Sequence, residues 1–370
     1  MTFNNALDSI QIYEAGKPIE LVVREYGIKA SKIVKLASNE NPLGASPKAQ
    51  KAIIKKAKEA HLYPDDSMFE LKEKLAKHFN ITKNEVIIGA GSDQIIEFCI
   101  HAKAHSQTAV LMARITFAMY EIYATQVGAR IIKTPSNEHN LKEFLELYQT
   151  HKPSIIFLCV PNNPLGECLG REEIFDFLKQ IDEECLVVID GAYQEYASYK
   201  DSKKALNPKV LIETFPNAIY LGTFSKAYGL GGMRVGYGIA NASIINTLYK
   251  LRPPFNITAP SLAGATAALK DQKHIQKTLK NNQAQMLKYE DFAKKQGIAF
   301  IPSYTNFITY LLESPLDSTQ IADFLLQRGV IIRNLHSYGL NAIRITIGKP
   351  EENKRFFQLF SEYLNSKRGE

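Results

Sequence analysis

The chain has 370 residues, 45% hydrophobic and 22% charged, an ordinary globular balance that excludes disordered, collagen-like and disulfide-scaffold classes. At roughly 150 residues per domain, this length predicts two to three units with a sizeable buried core. The net charge of +7 is spread as lysine doublets among acids, without a dense basic tract or interleaved aromatics, so no nucleic-acid partner is expected and the surplus suits anionic small molecules.

Residues 1–45 lack strong periodicity and carry turn signals at Gly16, Gly27 and 41–44. Ser46 predicts an N-cap with Pro47 at the first helical position. Ser67-x-x-Glu70 predicts a capping box opening an amphipathic helix through Leu71, Leu75 and Phe79. From Glu85 to Ala240, β-rich runs at 86–88, 109–112, 130–133, 155–159, 186–189, 219–221 and 235–239 alternate with helical patterns. Near-continuous apolar strands separated by helices require a mostly parallel sheet covered on both faces, here seven-stranded in a large α/β domain. Residues 261–295 read as one long helix. A smaller α+β set follows, with strands at 306–311, 330–332 and 342–347 and helices from Ser318 and Pro350. The expected organisation is an N-terminal arm over 1–30 packing on the small domain, a large domain over 31–262 and a small domain over 263–370.

The longest apolar runs fall far short of the ~18–20 residues of a membrane span. The first eleven residues have neither the basic nor the apolar region of a secretory signal. A soluble, cytoplasmic chain without a membrane partner is expected. Cys99, Cys159, Cys168 and Cys185 form no C-x-x-C pair and have no His at ligand spacing, so buried free thiols and no metal site are expected.

Chemistry concentrates in four stretches. Gly222-Thr-Phe-Ser-Lys-Ala-Tyr-Gly-Leu-Gly-Gly-Met-Arg234 places Thr223, Ser225, Lys226 and Arg234 just after an apolar strand. A lysine amine whose neighbours lower its pKa can form a Schiff base there, while hydroxyls and an arginine hold a phosphate. Ile88-Gly-Ala-Gly-Ser-Asp-Gln94 reads as strand, turn and helix start, where the N–H groups of Ser92, Asp93 and Gln94 can cradle phosphate. The nicotinamide fingerprint requires glycine at its sixth position, but Gln94 stands there, which disfavours a dehydrogenase. Val187-Val-Ile-Asp190-Gly-Ala-Tyr193 ends a buried strand on an acid, at the edge where ligands of open α/β sheets gather. Val160-Pro-Asn-Asn163-Pro-Leu-Gly166 is a turn signal.

Together these motifs resemble the class-II pyridoxal-phosphate aminotransferases of fold type I, from about Leu36 to Gly348. The resemblance implies that Lys226 holds pyridoxal 5'-phosphate as an aldimine and then serves as base and acid, giving ping-pong kinetics. Asp190 would keep the pyridine nitrogen protonated, which makes the ring an electron sink. Asn163 and Tyr193 would contact the phenolic oxygen, and Phe117 would stand over the ring. Within that group, Tyr13-x-x-Gly-Lys-Pro-Ile-Glu20, Leu36-Ala-Ser-Asn39-Glu-Asn-Pro-Leu-Gly44 and His61-Leu-Tyr63-Pro-Asp65 look most like the histidinol-phosphate aminotransferases. That implies histidinol phosphate and glutamate or 2-oxoglutarate as substrates, with Tyr13, Asn39, Arg333 and Arg344 binding them. It also implies a homodimer in which Tyr63 reaches the neighbour's cofactor phosphate. Aromatic-amino-acid aminotransferases and pyridoxal-dependent phospho-amino-acid enzymes are the alternatives within this chemistry.

Overall fold

The computed structural model describes residues 5–10 and 18–368. After β1 (Val34–Lys35), the strands β2 (Val86–Gly89), β3 (Ala109–Met112), β4 (Arg130–Lys133), β5 (Ile155–Cys159), β6 (Leu186–Asp190), β7 (Ala218–Thr223) and β8 (Gly236–Ala240) build one sheet. Its order is β2-β8-β7-β6-β5-β3-β4. All pairs are parallel except those of β8, which runs antiparallel to β2 and β7. β5, β6 and β7 are buried along their whole length, because helices cover both faces and leave no side for a polar alternation. One face packs the core around Leu75, Phe144, Phe177 and Leu211, and the other around Ile96, Tyr120 and Leu248.

A second sheet, β12-β13-β10-β9, is built from β9 (Ala299–Ile301), β10 (Phe307–Leu311), β12 (Arg333–Asn334) and β13 (Ala342–Thr346). It has its own core around Tyr289, Tyr310, Phe356 and Phe360. β1 pairs in parallel with β11 (Val330–Ile331), and Val22, Ala37 and Ile331 close a small cluster there. Asn5–Ser9 forms a turn of 3-10 helix near the helix Met119–Gln126. No described helix is long and apolar enough to cross a membrane. All four cysteines are buried and unpaired.

Ser46 caps its helix by accepting from the Ala49 N–H, with Pro47 in the first turn. The capping box at Ser67 does not form. The helix starts at Phe69 after Met68 in a left-handed conformation, and the Asp65 carboxylate accepts from Ser67 N, Ser67 Oγ and Phe69 N. A carboxylate that takes three donors outcompetes a single hydroxyl for the helix start. The single helix expected over 261–295 is two, Ala259–Leu269 and Gln272–Gln296, broken at Lys270–Asp271. Leu269, Ile275 and Leu279 belong to the large core, whereas Met286, Tyr289 and Ala293 belong to the small one. The break lets the second helix turn from one core toward the other. β9 and β12 have no counterpart among the expected strands; at three and two residues they are too short to show a period.

Candidate active site

The carboxyl ends of β5, β6 and β7 converge beside the start of the helix Gly91–Lys103. A cleft of roughly 560 Å³ opens there, lined by Gly91, Ser92, Asp93, Phe117, Cys159, Asn163, Asp190, Ala192, Tyr193, Thr223, Ser225, Lys226 and Arg234. Cys159 and Asp190 are register partners at the ends of neighbouring strands, so the sheet itself fixes their separation.

Lys226 lies in the loop after β7. Gly229, at φ +68°, lets that loop abut the carbonyl of Gly44, which an added Cβ would meet at 2.3 Å. The amine donates to Ser38 O at 3.4 Å. Burial first, then the positive fields of Arg344 and Arg234, lower its pKa to about 8. About a tenth of this amine is therefore neutral and nucleophilic at pH 7, far more than for an ordinary lysine.

Asp190 is 3% exposed, and burial raises its pKa. Two donors oppose that: the Tyr120 hydroxyl at 2.6 Å from Oδ2 and the Ala192 N–H at 3.1 Å from Oδ1. Tyr120 is fully buried, stacked on Phe157 at 4.4 Å and edge-on to Phe117 at 5.6 Å. Sequence reasoning passed over Tyr120. Its local signal is only an aromatic three residues after Phe117, and its partner is 70 positions away.

The helix start at Gly91 presents free N–H groups to the cleft. A Cβ on Gly236 of β8 would meet Ser92 N at 2.1 Å, so glycine there is what allows the helix to approach the sheet. Arg234 stands against this helix start, its Nη2 only 2.6 Å from where a Cβ on Gly91 would sit, and it donates to Ser225 Oγ at 3.4 Å and Gly231 O at 3.2 Å. Thr223 Oγ1 accepts from Ser225 N at 3.1 Å and donates to Val235 O at 3.4 Å, so this hydroxyl also braces the lysine loop. Asp93 accepts from the Tyr123 hydroxyl at 3.0 Å through Oδ2, while Oδ1 is buried without a partner. Gln94 does not line the cleft. Its Oε1 accepts from Ala90 N and Asn256 Nδ2, both at 2.8 Å, so the side chain braces the turn from behind.

Tyr193 accepts from Asn39 Nδ2 at 2.9 Å. Asn39 is itself held by Thr346, whose hydroxyl donates to Oδ1 at 3.1 Å and accepts from the Asn39 N–H at 3.0 Å. Arg344 donates to Asn163 Oδ1 at 2.5 Å and Ala37 O at 2.8 Å. Arg333 is its direct cross-strand partner and lines a larger cleft with Arg114, Lys133 and Tyr338; the two clefts share Phe117. Like charges directly opposed on paired strands repel, and a bound anion between them would offset that cost. Tyr63 stands apart, 82% exposed, its ring 4.7 Å from that of Phe255. Tyr13 lies outside the described residues.

The family model for aminotransferase class I and II matches residues 31–360. The histidinol-phosphate aminotransferase of Wolinella succinogenes is 62% identical over 365 residues, covering 99% of this chain and 100% of the relative. The chain belongs to the class I and II aminotransferases, in their histidinol-phosphate aminotransferase branch. Another such aminotransferase, from Campylobacter concisus, is 60% identical over 366 residues, covering 98% of this chain and 100% of that one. Among solved structures, the histidinol-phosphate aminotransferase from Sinorhizobium meliloti in complex with pyridoxal-5'-phosphate superposes with a TM-score of 0.88. It is 25% identical and covers 98% of each chain. As a member of this aminotransferase family, the chain is a pyridoxal-phosphate-dependent transaminase of fold type I.

Proposed function

We propose that this aminotransferase exchanges an amino group between L-histidinol phosphate and glutamate/2-oxoglutarate in histidine biosynthesis, with Lys226 as the covalent anchor of the cofactor and ping-pong kinetics. The observation that carries this reading is the convergence, in one cleft, of a lysine with a lowered pKa, a buried carboxylate and a helix start flanked by Arg234. That donor set fits pyridoxal phosphate, which when bound supplies an aldehyde for capturing amines and a cationic ring that withdraws electrons.

In this reading the N–H groups of Ser92 and Asp93, with Thr223, Ser225 and Arg234, hold the phosphate, and Gln94 contributes by bracing Ala90 rather than by contact. Asp190 holds a proton on the ring nitrogen, and Tyr120 keeps that carboxyl ionised. Asn163 and Tyr193 orient the phenolic oxygen, and Phe117 covers the ring. Lys226 would take the proton from the substrate carbon and return it two bonds along, a 1,3 shift. Arg344 grips the carboxylate of glutamate bidentately, and Arg333 adds the second cation that a phosphorylated substrate calls for. Tyr13 and Asn39 complete the substrate side, Asn39 by fixing Tyr193.

The assembly in this reading is a cytoplasmic homodimer with shared sites, in which Tyr63 serves the neighbour's phosphate. Its exposure, together with that of Leu62 and Phe69 nearby in the chain and of Phe255 beside its ring, supports a second copy as the partner. In this reading the chain divides into an arm (1–30), a large domain (31–262) and a small domain (263–370); the separate core around Tyr289, Tyr310, Phe356 and Phe360 supports a small domain, while Leu269, Ile275 and Leu279 pack on the large core. The test is an amino-donor screen on the purified yellow protein with histidinol phosphate, phenylalanine, tyrosine and threonine phosphate. The highest kcat/KM is expected for histidinol phosphate. A preference for an aromatic amino acid overturns the substrate assignment and leaves the transaminase chemistry standing.

A further inference from the structure

A path of polar contacts joins two parts of the chain that the chemistry leaves apart. It starts behind the phosphate cradle, where Gln94 Oε1 accepts from both Ala90 N and Asn256 Nδ2 at 2.8 Å. Asn256 Oδ1 accepts from Arg252 Nη1 at 3.0 Å. Arg252, its side chain 10% exposed, forms a two-pronged pair with Asp66 at 2.8 and 2.7 Å. Asp66 Oδ1 also accepts the Phe255 N–H at 2.6 Å. This bond holds Phe255 at φ +55°, a left-handed conformation that a residue with a Cβ adopts only when its surroundings enforce it. The enforced backbone sets the ring that lies 4.7 Å from that of Tyr63, tilted by 33°.

The path thus runs without a gap from the anion cradle of one protomer to the aromatic platform that the same protomer exposes. Each link is directional, because a planar guanidinium and two amides fix orientation as well as distance. We infer that Gln94, Asn256, Arg252 and Asp66 are positioning residues that tie a protomer's own cradle to the Tyr63–Phe255 platform it offers to a second copy, so that the geometry behind one site sets how firmly the neighbouring site holds its phosphate. This inference rests on the shared-site dimer proposed above. At position 94 the path requires only an acceptor oxygen, which glutamate would supply as well as glutamine.

Hybrid dimers test it. A tagged chain carrying Lys226→Ala, alone or with Asn256→Ala, is co-assembled with the unmodified chain. The one site that keeps its lysine then draws its cradle from the unmodified chain and its Tyr63 from the tagged one. Pyridoxal phosphate is titrated into the cofactor-free hybrid, and the lysine-dependent absorbance band reports the affinity of that site alone. Asn256→Ala in the tagged chain is expected to weaken it about tenfold, the scale of one hydrogen-bonded link. Adding Tyr63→Phe to the same chain is expected to cost nothing further, since both act on one contact. As a second probe, Gln94→Met in the tagged chain reproduces the loss and Gln94→Glu does not. An affinity unchanged by both Asn256→Ala and Gln94→Met in an intact hybrid overturns the inference and spares the dimer. Chains that never co-assemble, read as single-chain mass by light scattering, overturn the shared-site reading and the inference with it.

Discussion

Replacing Tyr120 with phenylalanine removes one hydroxyl and little else. The ring keeps its stack on Phe157 and its edge contact with Phe117, so packing is conserved while Asp190 Oδ2 loses its 2.6 Å donor. Burial already raises the Asp190 pKa, and this bond favours the ionised form. Its removal therefore raises the pKa further. A hydrogen bond to a charged acceptor contributes about 1.5–3 kcal/mol, which at about 1.36 kcal/mol per unit corresponds to about 1–2 pH units. The sign follows directly: the carboxylate is lost at higher pH, so the acid limb of the kcat/KM profile moves up by about 1–2 units. The measurement is the pH profile of histidinol-phosphate turnover for the holoenzyme and for Tyr120→Phe, together with a thermal melt to establish equal folding. An acid limb that stays in place while turnover falls uniformly would refute the argument that Tyr120 acts through the ionisation of Asp190.

Capture of pyridoxal phosphate by the cofactor-free chain should accelerate as pH rises toward about 8, where the Lys226 amine loses its proton. Stopped-flow absorbance should show that midpoint moving upward in Arg344→Gln, because a repelling cation is gone; Lys226→Ala should lose turnover by orders of magnitude. Arg333→Ala should cost more on histidinol phosphate than on glutamate, and Arg344→Ala should cost on both, as read from kcat/KM of the two half-reactions. Equal losses on both substrates in Arg333→Ala would remove the two-arginine clamp. Gly236→Ala forces a Cβ against Ser92 N and should destabilise the fold by about 1–3 kcal/mol in urea unfolding; it should also weaken cofactor binding, and a neutral result on both would refute the close-approach argument.

What could be read along the chain was whatever depends on neighbours in sequence. Six of the seven strands of the large sheet follow from short apolar runs, because a strand buried on both faces leaves no room for polar alternation; the edge strand β4, partly exposed, shows only Ile131 and Ile132 between charges. The lysine loop, the strand-end acid and the glycine-rich helix start were legible for the same reason, since each is a contiguous segment whose backbone and side chains belong to one turn. Ser46 and Pro47 marked a helix start that forms as read.

Three-dimensional packing decided the rest. Ser67 and Glu70 have the spacing of a capping box, yet Asp65 takes the helix start because its carboxylate accepts three donors that the hydroxyl cannot. The helix expected to run through 270–271 is divided, and its second half passes from the large core at Ile275 and Leu279 to the small one at Met286 and Tyr289. The Tyr120–Asp190 bond joins positions 70 apart, the Asn39–Tyr193 bond 154 apart and the Asn256–Gln94 bond 162 apart. No periodicity or motif encodes such pairings. Gln94 illustrates the difference: its place after the glycines suggested phosphate contact, but only the packing of 252–256 behind the turn shows its oxygen already committed. Local sequence determines which backbone groups face the cleft, because that is a matter of dihedral preference. Which side chains are free to act there depends on partners that arrive from distant segments only once both cores have closed.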